Sequence, residues 1–312
     1  MQETYSNKHP DENKIDLREL FHVLFQGKWF IVSLTAFASI IGVIYSLSLP
    51  NIYTSKALLV TVNTSSGMSG NLRNYSGLAG LAGINLSSGG NESNSEKAIQ
   101  KISSLSFFEN NILENIFLPD LMAVKSWNPE TNSLEYDESL YIMKSNTWVG
   151  DYYKGKQIPS TQESFKVFIS QHLSLSDNKN TDFITLSIKH KSPFIAKQWA
   201  ELVVDQINTF YRQKDKSESE KAVNYLNQQI SITGLSEIKQ VIAQLLQEET
   251  KKLTLIEANQ YYVFDYIDPP AAMELKSEPT RSLICILSAL FGVLLGIIIV
   301  LIRRYAFKEI DF

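Results

Sequence analysis

Residues 282–302 read SLICILSALFGVLLGIIIVLI, a run with no charge, bounded by Arg281 on one side and by Arg303 and Arg304 on the other. At about 1.5 Å of rise per residue, a helix of this length is about 30 Å long, the thickness of a bilayer's hydrocarbon core. The run predicts a membrane-spanning helix. Before it, residues 261–281 join a strand-like run (YYVFDYID, 261–268) to a proline-rich segment with Pro269, Pro270 and Pro279; after it comes a short tail, 303–312.

A second uncharged run lies near the other end, residues 29–49 (WFIVSLTAFASIIGVIYSLSL). A secretory signal peptide is the competing reading, but its apolar core would be shorter and would end at a small-residue cleavage site. Here Ala36-Phe37-Ala38 lies in mid-run and apolar sequence continues to Leu49, so an uncleaved anchor is expected. Overall composition, with 20% charged residues and a formal net charge of -4, resembles that of a soluble protein. The membrane signal is therefore confined to the two ends.

Orientation follows from the basic residues flanking the spans: Lys14, Arg18 and Lys28 before the first, and Arg303, Arg304 and Lys308 after the second. The positive-inside rule places both termini in the cytoplasm and residues 50–281 across the membrane. Lys276 and Arg281 flank the second span on its outer side and weaken the bias. The lone cysteine, Cys285, lies within that span, so no internal disulfide is expected.

Residues 1–28 form an amino-terminal cytoplasmic segment. Within it Leu17, Leu20, Phe21 and Leu24 recur at helical spacing behind Asp16, a plausible N-cap, and predict a short amphipathic helix at the membrane interface. Residues 53–62 (YTSKALLVTV) read as a strand. Residues 63–95 then hold seven of the 14 glycines among many Ser and Asn, with the repeat GLAGLAG at 77–83. No Lys-Ser/Thr pair or dinucleotide spacing accompanies these glycines, so a close-packing loop is expected and not a phosphate cradle. Asn-x-Ser/Thr triplets begin at Asn63, Asn74, Asn85 and Asn91 and matter only in a host that glycosylates them.

Helical spacing returns over 95–117, and residues 118–159 read as an inserted loop region with Trp127, Trp148 and an acidic patch at Glu135, Asp137 and Glu138. Residues 161–172 predict a helix opened by a Ser160/Thr161 and Glu163/Ser164 capping box. Residues 182–190 alternate, with Ile184, Leu186 and Ile188 on one face, as a half-buried strand does. The longest helical pattern begins at Pro193 with an apolar stripe of Ala196, Trp199, Ala200, Val203, Val204, Ile207, Phe210 and Tyr211. A mixed-sign charged run, 212–221, follows and predicts a solvated helix face. Leu226 and Ile230 continue the periodicity, Thr233-Gly234 interrupts it, and Ile238, Val241, Ile242, Leu245, Leu246 and Leu253 resume it. Residues 193–260 thus predict a long helical hairpin standing away from an α/β base, 50–192.

The order of these parts, with Asp268-Pro-Pro-Ala-Ala-Met-Glu-Leu-Lys-Ser-Glu-Pro279-Thr-Arg281 leading to the second span, resembles the bacterial polysaccharide co-polymerases. Ile188-Lys-His-Lys-Ser-Pro193 with Ala196 and Trp199, Tyr225-Leu-Asn-Gln-Gln229 and the 77–83 repeat agree with that family, the Wzz-type chain-length determinants of lipopolysaccharide O-antigen. The resemblance implies an α+β membrane protein: two transmembrane helices, 29–49 and 282–302, flanking a periplasmic α/β base domain with a long protruding helical hairpin. It also implies a homo-oligomeric ring in the bacterial inner membrane that acts with a glycan polymerase on a growing lipid-linked polysaccharide. Related chains carry a cytoplasmic tyrosine kinase, which residues 303–312 are too few to form.

No catalytic, cofactor or metal residues are expected. His9, His22, His172 and His190 fall in four segments, and no HExxH, GxSxG or Cys-His pairing occurs. Asp265 and Asp268, three apart on a strand, are expected on opposite faces. The partners expected are a second copy of the chain, the polymerase, the glycan and membrane lipid, with no nucleic acid. The residues expected to matter for assembly are Pro269, Pro270 and Pro279, together with small residues at four-residue spacing in the spans. Ala38, Gly42 and Ser46 in the first and Ser288, Gly292 and Gly296 in the second would pack the two spans together or bind the polymerase. Two other classes remain open at this level, a scaffold for polysaccharide or capsule export and a two-span sensor.

Overall fold

The computed structural model describes residues 17–62, 94–152, 155–178, 183–259 and 261–306. The glycine repeat at 77–83, the four Asn-x-Ser/Thr sites, His9, Lys14, Asp16 and Lys308 lie outside the described residues. In chain order, α1 (Leu17–Gln26) runs into α2 (Lys28–Ser48), and β1 (Tyr53–Thr61) follows. Next come α3 (Asn94–Ile102) and α4 (Leu105–Phe107), the latter continued by a π-helical turn, Phe108–Ile112, and a 3-10 turn, Leu113–Asn115. After α5 (Leu118–Met122), β2 (Val124–Asn128) pairs with β3 (Ser133–Tyr136), and β4 (Tyr141–Ile142) with β5 (Thr147–Trp148). Then α6 (Thr161–Val167) passes into a second π-helical turn, Phe168–His172, and on to β6 (Leu173–Asn178) and β7 (Phe183–His190). The chain closes with α7 (Pro193–Ile232), α8 (Ser236–Ala258), β8 (Phe264–Asp268) and α9 (Arg281–Ala306).

Two compact units result, one formed by the two ends of the chain and one by the described residues between Asn51 and Ser277. The larger unit is built on an antiparallel sheet of order β6-β7-β1-β8. Ile184, Leu186 and Ile188 are buried on one face of β7, as their alternation predicts, beside Ala57 and Leu59 of β1. The first half of α7 covers that face. Ala196, Trp199, Ala200, Val203, Val204, Ile207 and Tyr211 are buried in the same core, and Phe210 packs at its margin. The two π-helical turns meet there too: each opens on a buried phenylalanine, and the Phe108 and Phe168 ring centroids lie 5.2 Å apart.

Asn208 interrupts the apolar stripe of α7 and decides where the chain returns. It is buried, and its Oδ1 accepts the backbone N–H groups of Tyr262 (3.3 Å), Val263 (2.8 Å) and Phe264 (2.9 Å). Its Nδ2 donates to the Phe264 carbonyl at 2.9 Å. These backbone groups lie just ahead of the β8 ladder and would otherwise be buried unpaired. Beyond the clamp α7 runs on as one helix, about 60 Å over its 40 residues. The break at residues 233–235 then turns the chain into α8, and Leu226, Val241, Ile242 and Leu245 form a small cluster between the two helices. The charged run of α7 is not only a solvated face: Asp215 accepts a hydrogen bond from the Tyr262 hydroxyl at 2.6 Å, and Lys216 pairs with Glu257 of α8.

The structure corrects several expectations. Residues 118–159, expected as an inserted loop, hold α5 and two β ribbons. Their strands are two to five residues long, too short to show a period, and their turns use positive φ at Asn132 (49°) and Asn146 (53°), which asparagine tolerates. The 95–117 helix is broken at Ser104, whose Oγ caps the Phe107 N–H. The 161–172 helix opens on the expected Ser160/Glu163 capping box but ends as a π turn, and β6 was not foreseen. Asp265 and Asp268 are not on opposite faces. Leu58 pairs with Asp268 and Leu59 with Tyr266, so Ile267 is an extra residue in the ladder. That bulge puts Asp265 and Asp268 opposite Val60 and Leu58, which share a face of β1.

In the unit formed by the ends, α2 and α9 pack side by side and α1 lies against α9. Hydrogen bonds from Gly27 N to the Val23 carbonyl and from Ile31 N to the Gly27 carbonyl (3.0 and 3.1 Å) carry the helical ladder through Gly27. α1 thus prolongs α2. Val23 of α1 is buried, while Phe21 of the expected apolar stripe is exposed.

Replacing Asn208 by Ala leaves three backbone donors without their buried acceptor. We expect a loss of roughly 3 kcal/mol, read as a lower thermal midpoint of the detergent-solubilised chain, with β8 the first segment to exchange its amide hydrogens.

Candidate functional site

Among the described residues, no group of three or more His, Cys, Asp or Glu side chains is placed to hold a metal ion. Two features stand out instead, the contact between the apolar helices and a polar latch at one end of the sheet.

The expected small-residue faces meet. Gly42 and Ser46 are the buried residues of α2, and Gly292 and Gly296 are buried on α9. A Cβ built on Gly42 would lie 2.5 Å from Ser288 Cβ; one on Gly292 would lie 2.8 Å from Ala38 Cβ and 2.9 Å from Thr35 Cα; one on Gly296 would lie 3.1 Å from Ile31 Cα. At Gly292 and Gly296 the facing backbone lies against the glycine, and at Gly42 the Ser288 side chain does, so a larger residue at any of the three has to push its neighbour aside. Thr35, Ser39, Ser48 and Ser288 each donate their hydroxyl to a carbonyl of the preceding turn, at 2.7–2.9 Å. Large apolar side chains such as Ile40, Ile44, Leu290, Phe291 and Ile298 point outward and stay exposed. Of the prolines, Pro270 is buried, Pro279 half-buried and Pro269 exposed. The Ala271 carbonyl beside Pro270 accepts the Ser55 hydroxyl at 2.8 Å.

The latch brings together two histidines that are 18 residues apart. The His172 and His190 ring centroids are 5.7 Å apart, and Trp199 lies edge-on to both at 5.3 and 5.0 Å. His190 Nδ1 accepts the Ser192 N–H (2.9 Å), so Nε2 carries the proton and donates to the Asp120 carbonyl (3.0 Å). His172 Nδ1 donates to the Lys189 carbonyl at 2.7 Å. Lys191 donates to the Val124 carbonyl, and the Tyr136 hydroxyl donates to Asp120 Oδ1 at 2.6 Å. Burial lowers both histidines, His190 to about 4, and lowers Lys191; burial also raises Asp120, against the opposing effect of the Tyr136 hydrogen bond. The His190 and Lys191 contacts join α5 and β2 to the end of β7, the Tyr136 contact ties β3 to α5, and the His172 contact ties the second π-helical turn to β7. The latch therefore holds the ribbon on the sheet. Sequence reading missed it because Asp120, Tyr136, His172 and His190 are each unremarkable in their own segment. His190 carried one signal, continuing the buried alternation of Ile184, Leu186 and Ile188.

A family model described as chain length determinant protein, Wzz, matches residues 13–113. Over that stretch, about a third of its length, the chain is similar to chain length determinant proteins. That stretch takes in α1, α2, β1, α3, α4 and the first π-helical turn and ends at Leu113, the first residue of the 3-10 turn. Among solved structures, a full-length bacterial polysaccharide co-polymerase is 15% identical, with 95% of this chain and 99% of that chain covered and a TM-score of 0.40. A fragment of WzzB, a polysaccharide co-polymerase from Salmonella Typhimurium, is 13% identical, with 73% and 100% covered and a TM-score of 0.27. No curated protein matches the chain.

Two predictions follow from this geometry. Gly292→Leu forces side-chain atoms into Ala38 and Thr35 and should cost about 1–3 kcal/mol of helix-pair stability, read as a lower midpoint of detergent denaturation; Leu294→Ala, on an exposed position, should leave that midpoint unchanged. The second concerns pH. The fold requires neutral His190, whereas the unfolded chain takes up a proton below the ordinary 6.5, so this stability is complete above about 6.5 and drains away toward pH 4. The full loss is on the order of 3 kcal/mol. His172 acts in the same direction, and Asp120, raised by burial, opposes both. The thermal midpoint should fall over that window, and less steeply in His190→Gln.

Proposed function

We propose that this chain is a non-catalytic regulator of surface polysaccharide chain length, of the O-antigen type, working as a homo-oligomeric ring beside a glycan polymerase in the bacterial inner membrane. The Wzz match over residues 13–113 carries this reading. The architecture supports it: α2 and α9 are long and apolar enough to cross a bilayer, and their large side chains face outward as lipid-facing side chains do. Arg303 and Arg304 in the last turn of α9, and Lys28 at the start of α2, support a topology with both termini in the cytoplasm and the larger unit in the periplasm.

In this reading the chain contributes no chemistry. α7 and α8 form an arm whose outer surface carries exposed Tyr225, Ile232, Leu235 and Leu255. Arms of neighbouring copies present a surface that keeps the growing lipid-linked glycan near the polymerase, and the strength and number of those contacts set the modal length. Gly42, Gly292 and Gly296 hold the two spans of one protomer together, and the segment from Pro269 to Pro279 fixes how the base returns to the second span.

The test is the surface-glycan ladder from a strain deleted for this gene and from the complemented strain. Deletion should turn a clustered length distribution into a decaying one, and complementation should restore the cluster. Loss of surface polysaccharide with an unchanged length distribution would instead assign the chain to an export complex.

A further inference from the structure

We infer that the larger unit carries its own membrane-docking surface, an aromatic patch at the end of the sheet where the chain enters and leaves, which seats in the interfacial layer of the periplasmic leaflet. The inference rests on α2 and α9 being membrane spans. Tyr53 opens β1 and pairs with His190 at the end of β7. The Trp127 ring lies 5.3 Å from Tyr53 and 6.1 Å from Phe194, centroid to centroid. Phe194, in the first turn of α7, is 51% exposed. The returning segment lies at the same end of the sheet. Ser277 donates its N–H to the Ile52 carbonyl (2.8 Å) and shares a hydrogen bond with the Thr54 hydroxyl (2.6 Å), which lays residues 271–277 along the start of β1. On that segment Leu275 is 85% exposed and Met273 45%.

A patch of this composition on a water-facing surface needs an occupant. Three observations favour the bilayer. First, only Leu49 to Ile52 separate α2 from β1, and only Glu278 to Thr280 separate Ser277 from α9. An extended residue spans at most about 3.6 Å, so neither tether reaches beyond about 20 Å. Second, Trp and Tyr with half-buried rings suit the headgroup layer, and the Trp127 indole N–H already donates to Asn132 Oδ1 at 2.9 Å. Third, the nearby charges are mixed, with Lys125 and Lys276 set against Glu274 and Glu130, so apolar seating and not a polybasic attraction is the driving interaction. The latch has a role here: His190, Lys191 and Asp120 hold the β2–β3 ribbon so that Trp127 reaches Tyr53 and Phe194.

The test uses the full chain with Cys285→Ser, reconstituted in vesicles of phosphatidylethanolamine and phosphatidylglycerol, and a nitroxide attached at single cysteines replacing Phe194, Leu275, Leu290 or Ile232. Collisions with oxygen, which concentrates in the bilayer, are compared with collisions with a water-soluble nickel chelate. Leu290 reports the span itself. If its label shows no hydrocarbon exposure, the membrane-span reading fails, and the inference with it. With Leu290 in lipid, the labels at 194 and 275 should give an oxygen-to-nickel ratio several-fold above that at Ile232, at the end of the arm helix. A ratio equal to that at Ile232 means a patch free in water and overturns the inference. Shielding from both reagents means a protein occupant, a second copy or the polymerase, and also overturns it. Quenching of tryptophan fluorescence by brominated lipid gives a check without labels: the quenched amplitude should drop on Trp127→Phe, and an unchanged amplitude rejects the docking surface.

Discussion

The larger unit depends on one side-chain amide. The core between α7 and the sheet is apolar and would form with β8 in any of several registers, because burial is not directional. Asn208 supplies direction. By taking three consecutive backbone N–H groups on one oxygen and returning its own N–H to Phe264, it fixes where the chain leaving the arm rejoins the sheet. That point sets the β1–β8 pairing and the Ile267 bulge, and hence the path of the segment that leads to α9. Asp215 and Tyr262 repeat the constraint about two turns further along α7. The arm is therefore anchored to the base through polar contacts that must all form together, a common device for making one packing the only one.

Periodicity over many residues was legible, and short-range geometry was not. The α7 stripe from Ala196 to Tyr211, the break near Gly234 and the alternation ending at His190 all repeat often enough to be read. β4 and β5, at two residues each, show no period at all, and their existence depends on Asn146 adopting positive φ. The Asp265 and Asp268 faces were misjudged because strict alternation assumes an unbroken ladder, and a bulge arises from pairing with a partner strand that a local pattern does not contain. Asn208 was within reach: it lies four residues after Val204 and three before Tyr211, on the buried stripe itself. A polar residue at such a position must find a partner, and the place to look was the strand that follows the hairpin. The histidine latch had no such signal, since its members meet only through the fold.

The same chain contains two antiparallel helix pairs, and their contacts are made of opposite materials. α7 and α8 meet through Leu226, Val241, Ile242 and Leu245, with Ile230, Ile238 and Leu246 around them. α2 and α9 meet through Gly42, Ala38, Gly292 and Gly296, with Ile40, Ile44, Leu290 and Ile298 turned away. In water, a helix pair gains by taking large apolar side chains out of solvent, so those side chains belong inside. In lipid that gain vanishes, because a hydrocarbon tail is as good a neighbour for leucine as another leucine; what remains is close contact between backbones, and large side chains belong outside. The two arrangements are those that water and lipid would respectively select. The inverted order in α2 and α9 supports a bilayer around them independently of their hydropathy, since a buried soluble helix pair of equal hydropathy would have placed Ile40, Ile44, Leu290 and Ile298 at the contact.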